Sequence, residues 1–537
     1  MSASDAGRMH PRQYAATCPA KPAVVMAASG RTLSYGELNS RSNRVSRCIR
    51  DLGVKIGDGV AILLENHFRF FEPVWATQNN GLYLTTLATH LTPPELAHIL
   101  NDSGASILVT SHAFAGKIAS LIPLARGVRH ILMMDGAIDG VQPYEALVDH
   151  QDDDPLPGEV QGNFMLYSSG TTGVPKGIKP LPAGLPLGEL TGILKTLIPT
   201  HGLSERSVYL STAPLYHTAP LKWNIAVHCV GGTSVIMQQF DGEEMLAAIE
   251  RHRVTHVQCV PTMFVRLLKL PQPVRAKYDL GSLERVIHAA APCPIDVKER
   301  MIEWLGPIVE EYYAGTESNG LCVITAEEWL KRKGSVGRSV RGPIHIMDDT
   351  GERELPAGES GVVYFEGGTP FVYHNDPEKT GKAHNSKGWT AIGDVGYVDS
   401  EGYLFLTDRK DNVIISGGVN IYPQEAENLL VTHPKVFDAA VLGVPNADFG
   451  EEVKAVVRLM PGVAPTPELE GELRTWLSDR LSAIKQPRSY DFVDALPRLP
   501  TGKLLKRVLR ERYWKSGSRR DDTIAQRISA PNPENDR

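Results

Sequence analysis

The sequence predicts an α/β protein: a large N-terminal region built on largely parallel sheets, followed by a small α+β domain. Three observations carry this. Short β-rich runs alternate with helically spaced segments along most of the chain, the rhythm of layered strands and helices. The pattern changes near residue 410, where a Gly- and Asp-rich stretch from Gly393 to Gly418 precedes a compact unit of its own. The 537 residues are also enough for roughly three or four packed units at ~150 residues each. No fixed-period repeat is present.

Each element has a local signal. Val60–Leu64 reads as a short buried strand, and Phe68–Gln78 has helical spacing. Thr92-Pro93-Pro94-Glu95 is a helix start, with a hydroxyl cap, prolines in the first turn and an early acid; the helix is expected to run to about Leu100. Ser106–Thr110 is the next strand. Val208–Ser211 and Ser234–Met237 are strands, Glu243–His252 is a helix and Val254–Val260 a strand. Tyr403–Leu406 is strand-like. Beyond Pro423 the order is a helix (Gln424–Leu430), two strands (Ala439–Val444 and Val453–Leu459), a helix (Pro467–Leu481) and a last strand (Ser489–Val493). The polar tail from Ser516 is expected to be disordered.

Composition excludes several classes. Hydrophobic residues make up 42% and charged residues 22%, ordinary globular values that rule out a wholly disordered chain. A net charge of −6 disfavours a nucleic-acid binder that relies on bulk positive charge. No apolar run approaches the ~18 residues of a membrane span. The N-terminus lacks the apolar core of a secretory signal, and the last four residues match no retention or peroxisomal address. Six scattered cysteines form no C-x-x-C pair and suit a reducing compartment. The expectation is a cytoplasmic, multi-domain protein without a transmembrane segment; its oligomeric state is left open, a homodimer included.

The most informative string is Ser168-Ser169-Gly170-Thr171-Thr172-Gly173-Val174-Pro175-Lys176-Gly177, fed by the apolar run Phe164–Tyr167. Its glycines permit close backbone approach, successive N–H groups can form an anion-binding concavity, four hydroxyls add donors and Lys176 adds charge. Such a loop is suited to a polyphosphate. It is not a Walker loop, because no Gly-Lys-Ser/Thr follows at the required spacing.

The string resembles the signature loop of the AMP-forming, adenylate-forming enzymes: acyl-CoA synthetases, peptide-synthetase adenylation domains and beetle luciferases. Four more motifs follow in that family's order. Glu311-Tyr312-Tyr313-Ala314-Gly315-Thr316-Glu317 resembles its Tyr-Gly-x-Thr-Glu, and Gly388–Asp394 its Thr-Gly-Asp. Asp408–Gly418 resembles its hinge motif and Leu499–Lys503 its C-terminal lysine motif. The similarity runs from about Tyr14 to Lys515. It implies layered α/β subdomains with mixed sheets plus a small barrel-like lobe over residues 1–410, then a mobile C-terminal domain over 411–515 and a tail over 516–537.

The resemblance also implies an activity: an acid:CoA ligase that uses ATP, Mg²⁺ and CoA, forms an acyl-adenylate, and releases AMP and pyrophosphate. Glu317 is a hard oxygen ligand suited to Mg²⁺, and the family match makes it the metal ligand together with Thr172, with Thr316 beside the phosphates. Tyr313 resembles the aromatic that packs on adenine, next to the small-residue turn Ala289-Ala290-Ala291-Pro292. Asp394 and Arg409 are implied at the ribose, and Lys503 between the substrate carboxylate and the α-phosphate. Asp411 corresponds to the hinge. Ser416-Gly417-Gly418 would line a narrow thiol tunnel, but no residue stands out as the base for the thiol proton.

Pro214–Pro220, with Tyr216 and His217, corresponds to the acyl-pocket wall. It lacks the aspartate of amino-acid-activating members, so a buried substrate ammonium would have no partner. The acid is therefore expected to be hydrophobic, a medium- or long-chain fatty acid or a bulky aryl or steroid-type acid. Val260 and Met263 are candidates for its pocket, with spacing that fits plain core equally well. Three departures from the family pattern are Ala314 for a glycine, Asp408 for a glycine, and the Pro- and Leu-rich stretch 179–189. Val230–Val235 superficially resembles a carrier-protein site but lies between a helix, Lys222–Cys229, and a strand. Loading of a separate carrier protein, and a silent ATP-binding homologue, are the rival readings.

Overall fold

The computed structural model describes residues 9–168, 175–180, 185–190, 192–498 and 504–515, apart from the side chains of Ser168, Asp411 and Lys515. Two large sheets dominate. One has six strands, all paired in parallel, in the order 142–143, 130–134, 105–111, 59–63, 83–86, 163–164. The other has nine, in the order 338–339, 322–324, 309–313, 285–288, 256–259, 208–211, 233–236, 22–26, 32–34. Its middle is parallel, and antiparallel strands close both edges.

The largest core lies between these sheets. Ile62 and Ile107 of the first share it with Tyr209 and Ile287 of the second, around helices Tyr35–Asp51, Phe71–Asn79 and Thr218–Cys229. A second core covers the far face of the nine-stranded sheet with helices Gly242–His252, Pro261–Lys269 and Ile295–Leu305. A third covers the far face of the six-stranded sheet with helices Pro93–Ser103 and Ala115–Leu121. The layers therefore run helix, sheet, helix, sheet, helix. Strand Gly59–Leu63 is buried at every position because both faces are covered, which is why its sequence is a continuous apolar run.

Local chemistry explains the boundaries. Helix Pro93–Ser103 starts with a Thr92–Glu95 capping box and stops at Gly104, whose φ of 66° is left-handed. It runs one turn past the expected end. The helix expected from Phe68 begins at Phe71, and no side chain caps it, so the sequence carried no start signal. Gly231 sits at φ 76° in the turn between helix Thr218–Cys229 and strand Thr233–Ile236, where a Cβ would lie 2.4 Å from the Tyr14 ring. The carrier-like string is such a turn.

Two small antiparallel sheets form the next lobe, one of strands 371–373, 176–180 and 166–168, the other of 344–347, 361–365, 390–398 and 404–409. The C-terminal sheet comprises 419–421, 414–416, 450–459 and 436–446, with 489–492 added in parallel to 450–459. Helices Pro423–Leu430 and Pro467–Ser478 cover one face. Helix Lys506–Lys515, which no sequence signal announced, covers the other through Leu509. Among the described residues no helix is long and apolar enough to cross a membrane.

Candidate active site

Four neighbouring parallel strands of the nine-stranded sheet end on the same side: 208–211, 256–259, 285–288 and 309–313. The segments that follow them are Pro214–Pro220, Val260–Met263, Ala289–Pro292 and Ala314–Ser318. Parallel strands whose C-terminal ends converge leave a crevice there, the usual ligand position in open α/β sheets. The sheet thus gathers motifs that are far apart in sequence.

Two non-glycine residues in these segments are left-handed, Ala290 at φ 75° and Ser318 at φ 56°. Side chains disfavour that region, so both positions store strain beside the crevice. Gly315 has no such freedom to lose: a Cβ there would meet Ile392 Cδ1 at 2.7 Å and Glu317 Oε2 at 2.9 Å.

Tyr313, Asp394 and Arg409 form one unit. The Tyr313 hydroxyl donates to Asp394 Oδ2 at 2.5 Å, and Arg409 Nε lies 3.1 Å from Asp394 Oδ1. Asp394 and Arg409 are direct partners across the antiparallel ladder, so register alone brings them together. Burial, and then Asp394, push the Tyr313 hydroxyl well above its ordinary pKa, which keeps it a proton donor.

Glu317 is half-buried, and its Oε1 accepts from the Tyr373 hydroxyl at 2.8 Å. Among the described residues no group of three or more His, Cys, Asp or Glu could cage a metal. A single hard carboxylate beside threonine hydroxyls fits Mg²⁺, which is usually held by one or two carboxylates plus substrate phosphates. The hydroxyls of Thr218 and Thr316 lie 3.5 Å apart.

Lys176 is at the exit of the phosphate loop, paired in the ladder with Ser168 at the entrance. Its Nζ lies 2.8 Å from Asp376 Oδ2. Ser169, Gly170, Thr171, Thr172, Gly173 and Val174 of the loop lie outside the described residues, as does Lys503. His217 occupies the position just before helix Thr218–Cys229 without a capping side-chain hydrogen bond, and its ring lies 4.5 Å from the Tyr216 ring. Tyr216 is buried, and its carbonyl accepts from Thr86.

Other expected site residues are turned elsewhere. Glu311 is buried against Lys298 at 2.6 Å, and Tyr312 accepts a hydrogen bond from the Trp223 indole at 3.3 Å. Strand alternation sends these neighbours into opposite helical layers, so neither side chain faces the crevice. Val260 and Met263 are buried in the second core. In the small domain, Gly417 and Gly418 take φ of 56° and 81° at the tip of a hairpin, and Ser416 is buried. Asp411 lies in the short helical turn Lys410–Asn412 between the two last sheets.

Asp376, Tyr373, Lys222 and Arg341 join this neighbourhood without having been singled out by sequence reasoning. Only Asp376 carried a signal, as the acid before Pro377 that caps a helix, and that signal says nothing of Lys176.

The comparisons agree with this architecture. Residues 11–371 match the family model of AMP-binding enzymes, and residues 425–503 match that of the AMP-binding enzyme C-terminal domain. The chain is 35% identical over 502 residues to a feruloyl-CoA synthase of Amycolatopsis sp, covering 91% of this chain and 96% of that protein. It is 31% identical over 516 residues to a fatty acid–[acyl-carrier-protein] ligase, ScoC, of Streptomyces coeruleorubidus, covering 94% and 95%. Its fold superposes on the anthranilate CoA ligase AuaEII, solved in complex with anthranoyl-AMP, with a TM-score of 0.81 at 25% identity, covering 97% of this chain and all of that one. The chain belongs to the AMP-binding enzyme family and is an AMP-forming acyl-CoA synthetase that uses ATP, Mg²⁺ and CoA.

Proposed function

We propose that the acid is a bulky aryl-type carboxylic acid. The observation that carries this is the 35% identity to a feruloyl-CoA synthase along nearly its whole length. The Thr218 and Thr316 hydroxyls, 3.5 Å apart next to His217, suit an aryl acid with a polar substituent better than a plain alkyl chain.

Residues 1–410 then form the ATP- and acyl-binding domain, and 411–515 a mobile domain. Ser168–Gly173 and Lys176 hold the phosphates, with Asp376 as the partner that Lys176 leaves when a phosphate arrives. Ala290, Ala291, Pro292, Tyr313, Ala314 and Gly315 shape the adenine slot. Asp394 and Arg409 take the ribose hydroxyls. Glu317 and Thr172 are the residues that would hold Mg²⁺, which when bound neutralises phosphate charge.

His217 and Tyr216 close the carboxylate end. A substrate carboxylate oxygen attacks the α-phosphorus, and the bond to pyrophosphate breaks. Lys503 bridges the two anions as charge builds. The small domain then turns about Asp411 and brings Ser416-Gly417-Gly418 along the thiol path. The thiolate attacks the acyl carbon and AMP leaves. The six free cysteines support a cytoplasmic setting.

A pyrophosphate-release screen tests the reading, with aryl, fatty and steroid acids assayed with and without CoA. Aryl acids are expected to give the highest kcat/KM; long-chain fatty acids outperforming every aryl acid would overturn it. The carrier-loading alternative has its own support in the fatty acid–[acyl-carrier-protein] ligase relative. Faster acyl transfer to a carrier protein than to CoA would favour it.

A further inference from the structure

Helix Thr218–Cys229 presents a cation that the reaction described above does not use. Lys222 lies one turn beyond Thr218, and its neighbours Leu221, Trp223 and Asn224 are fully buried. Its Nζ donates to the Ser318 hydroxyl at 3.0 Å. A second cation reaches the same residue: Arg341 donates to the Ser318 carbonyl at 3.2 Å and to the Thr369 hydroxyl at 2.9 Å. Among the described residues neither has a carboxylate at ion-pair distance. Glu317 is the acid nearby, with one oxygen already accepting from Tyr373.

Two half-buried cations held only by neutral groups are costly, because a hydroxyl satisfies a hydrogen bond without cancelling charge. Burial, then the Arg341 guanidinium, lower the Lys222 ammonium to about 8, against the opposing pull of Glu317. Occupation of Glu317 by Mg²⁺ would spend the remaining negative charge as well. The cost makes sense if an anion arrives with the substrate.

The position separates that anion from the reacting carboxylate. Thr218 and Thr316 make a first rung beside His217, and Lys222 and Ser318 make a second. Residues four apart on a helix are spaced by about 6 Å. We propose that Lys222, backed by Arg341, is a specificity-determining cation that binds a second anionic group on the acid, about 6 Å from the carboxylate being activated. The substrate class is then an aryl acid carrying a further carboxylate or comparable anion. This rests on the reading of Pro214–Pro220 as the acyl wall and refines the aryl assignment.

The test compares terephthalate and 4-carboxycinnamate with their monomethyl esters and with benzoate and cinnamate, by pyrophosphate release from the full-length protein with ATP, Mg²⁺ and CoA. The wild-type protein is expected to prefer each diacid over its monoester. Lys222→Met is expected to cut the diacid-to-monoester ratio of kcat/KM by about 10- to 100-fold, the scale of a lost charged hydrogen bond. Lys222→Arg should restore part of it. ATP binding by calorimetry separates a folded variant from a collapsed one. A raised KM for ATP with an unchanged diacid ratio would place Lys222 on the phosphates and overturn the proposal. So would equal loss on all acids, or indifference of the wild-type protein to the second anion. Indifference with aryl acids still preferred leaves the aryl reading standing; a preference for fatty acids removes both.

Discussion

In the large region, Gly59–Leu63 and Ala105–Ser111 are buried at every position between helical layers, whereas the small domain turns apolar side chains outward at its hairpin. Ile415 and Phe449 are 56% and 41% exposed beside Gly417. Polar contacts mark the joint between the two. Asp408 accepts from the Asn412 side chain at 2.9 Å and from the Gln424 backbone at 3.2 Å, at the start of helix Pro423–Leu430. Lys269 of the large region donates to the Val436 carbonyl of the small domain at 2.8 Å. Polar contacts between domains break at low cost, whereas a shared apolar core does not. The contrast fits a rigid platform that fixes the nucleotide and acid, and a light domain that changes what it presents to them.

The sharpest way to break this comparison is to remove what the small domain contributes. Lys503→Ala is expected to slow adenylation by roughly 10²- to 10³-fold, as for the loss of one charge-stabilising donor. Thioester formation from supplied acyl-adenylate should be far less affected. Unchanged pyrophosphate release would remove Lys503 from the first step. Next in size is Asp411→Pro: with Asp411 as the proposed hinge, it is expected to slow thioester formation by about 10- to 100-fold while adenylation stays within about threefold, because the proposed swing serves the second step alone. Equal loss of both, measured by quenched-flow of each product, would count against a hinge.

Asp408 sharpens the comparison further. Its carboxylate caps the first helix of the small domain from a strand of the large region, a tie worth about 1 kcal/mol. Asp408→Gly is expected to shift the pose equilibrium by about fivefold, the equivalent of that energy. Small-angle scattering with and without an acyl-adenylate analogue would register the change, and identical profiles for the two proteins would sink the idea.

The smallest effect concerns acid stability. Burial drives His10 and His228 down to about 3 in the large region. Below about pH 6.5 the unfolded chain takes up these protons and the folded one does not, so stability falls as pH drops from 6.5 towards 3. His228 accepts from the Trp75 indole through Nδ1, the neutral form this requires. A melting temperature of the large region that drops between pH 7.5 and 5.5, with a shallower slope in His228→Gln, is the expected result. A flat profile would contradict it.

Much of this was legible in the residues. The strand–helix rhythm gave most elements of both regions because each signal is local: a capping box at Thr92, an apolar run at Val60, a proline at Pro467. The ordered motifs gave the family. What escaped depends on pairing. Asp394 and Arg409 meet through ladder register, and Lys176 meets Asp376 through the pairing of strands 176–180 and 371–373, which are far apart in sequence. Glu311 and Tyr312 sit inside a recognisable motif, yet strand alternation turns both side chains into the helical layers. Helix Lys506–Lys515 buries little more than Leu509 and so lacks an apolar stripe to read. Lys222 looks like any surface lysine until the turn at Ser318 folds against it.

The division of labour is tested most directly by a single-turnover experiment with radiolabelled aryl acid, ATP and Mg²⁺, quenched before and after CoA is added. The expected result is acyl-AMP appearing in step with pyrophosphate before CoA, then converting to acyl-CoA with release of AMP. Thioester forming without a prior acyl-AMP, or ADP and phosphate in place of AMP and pyrophosphate, would contradict it.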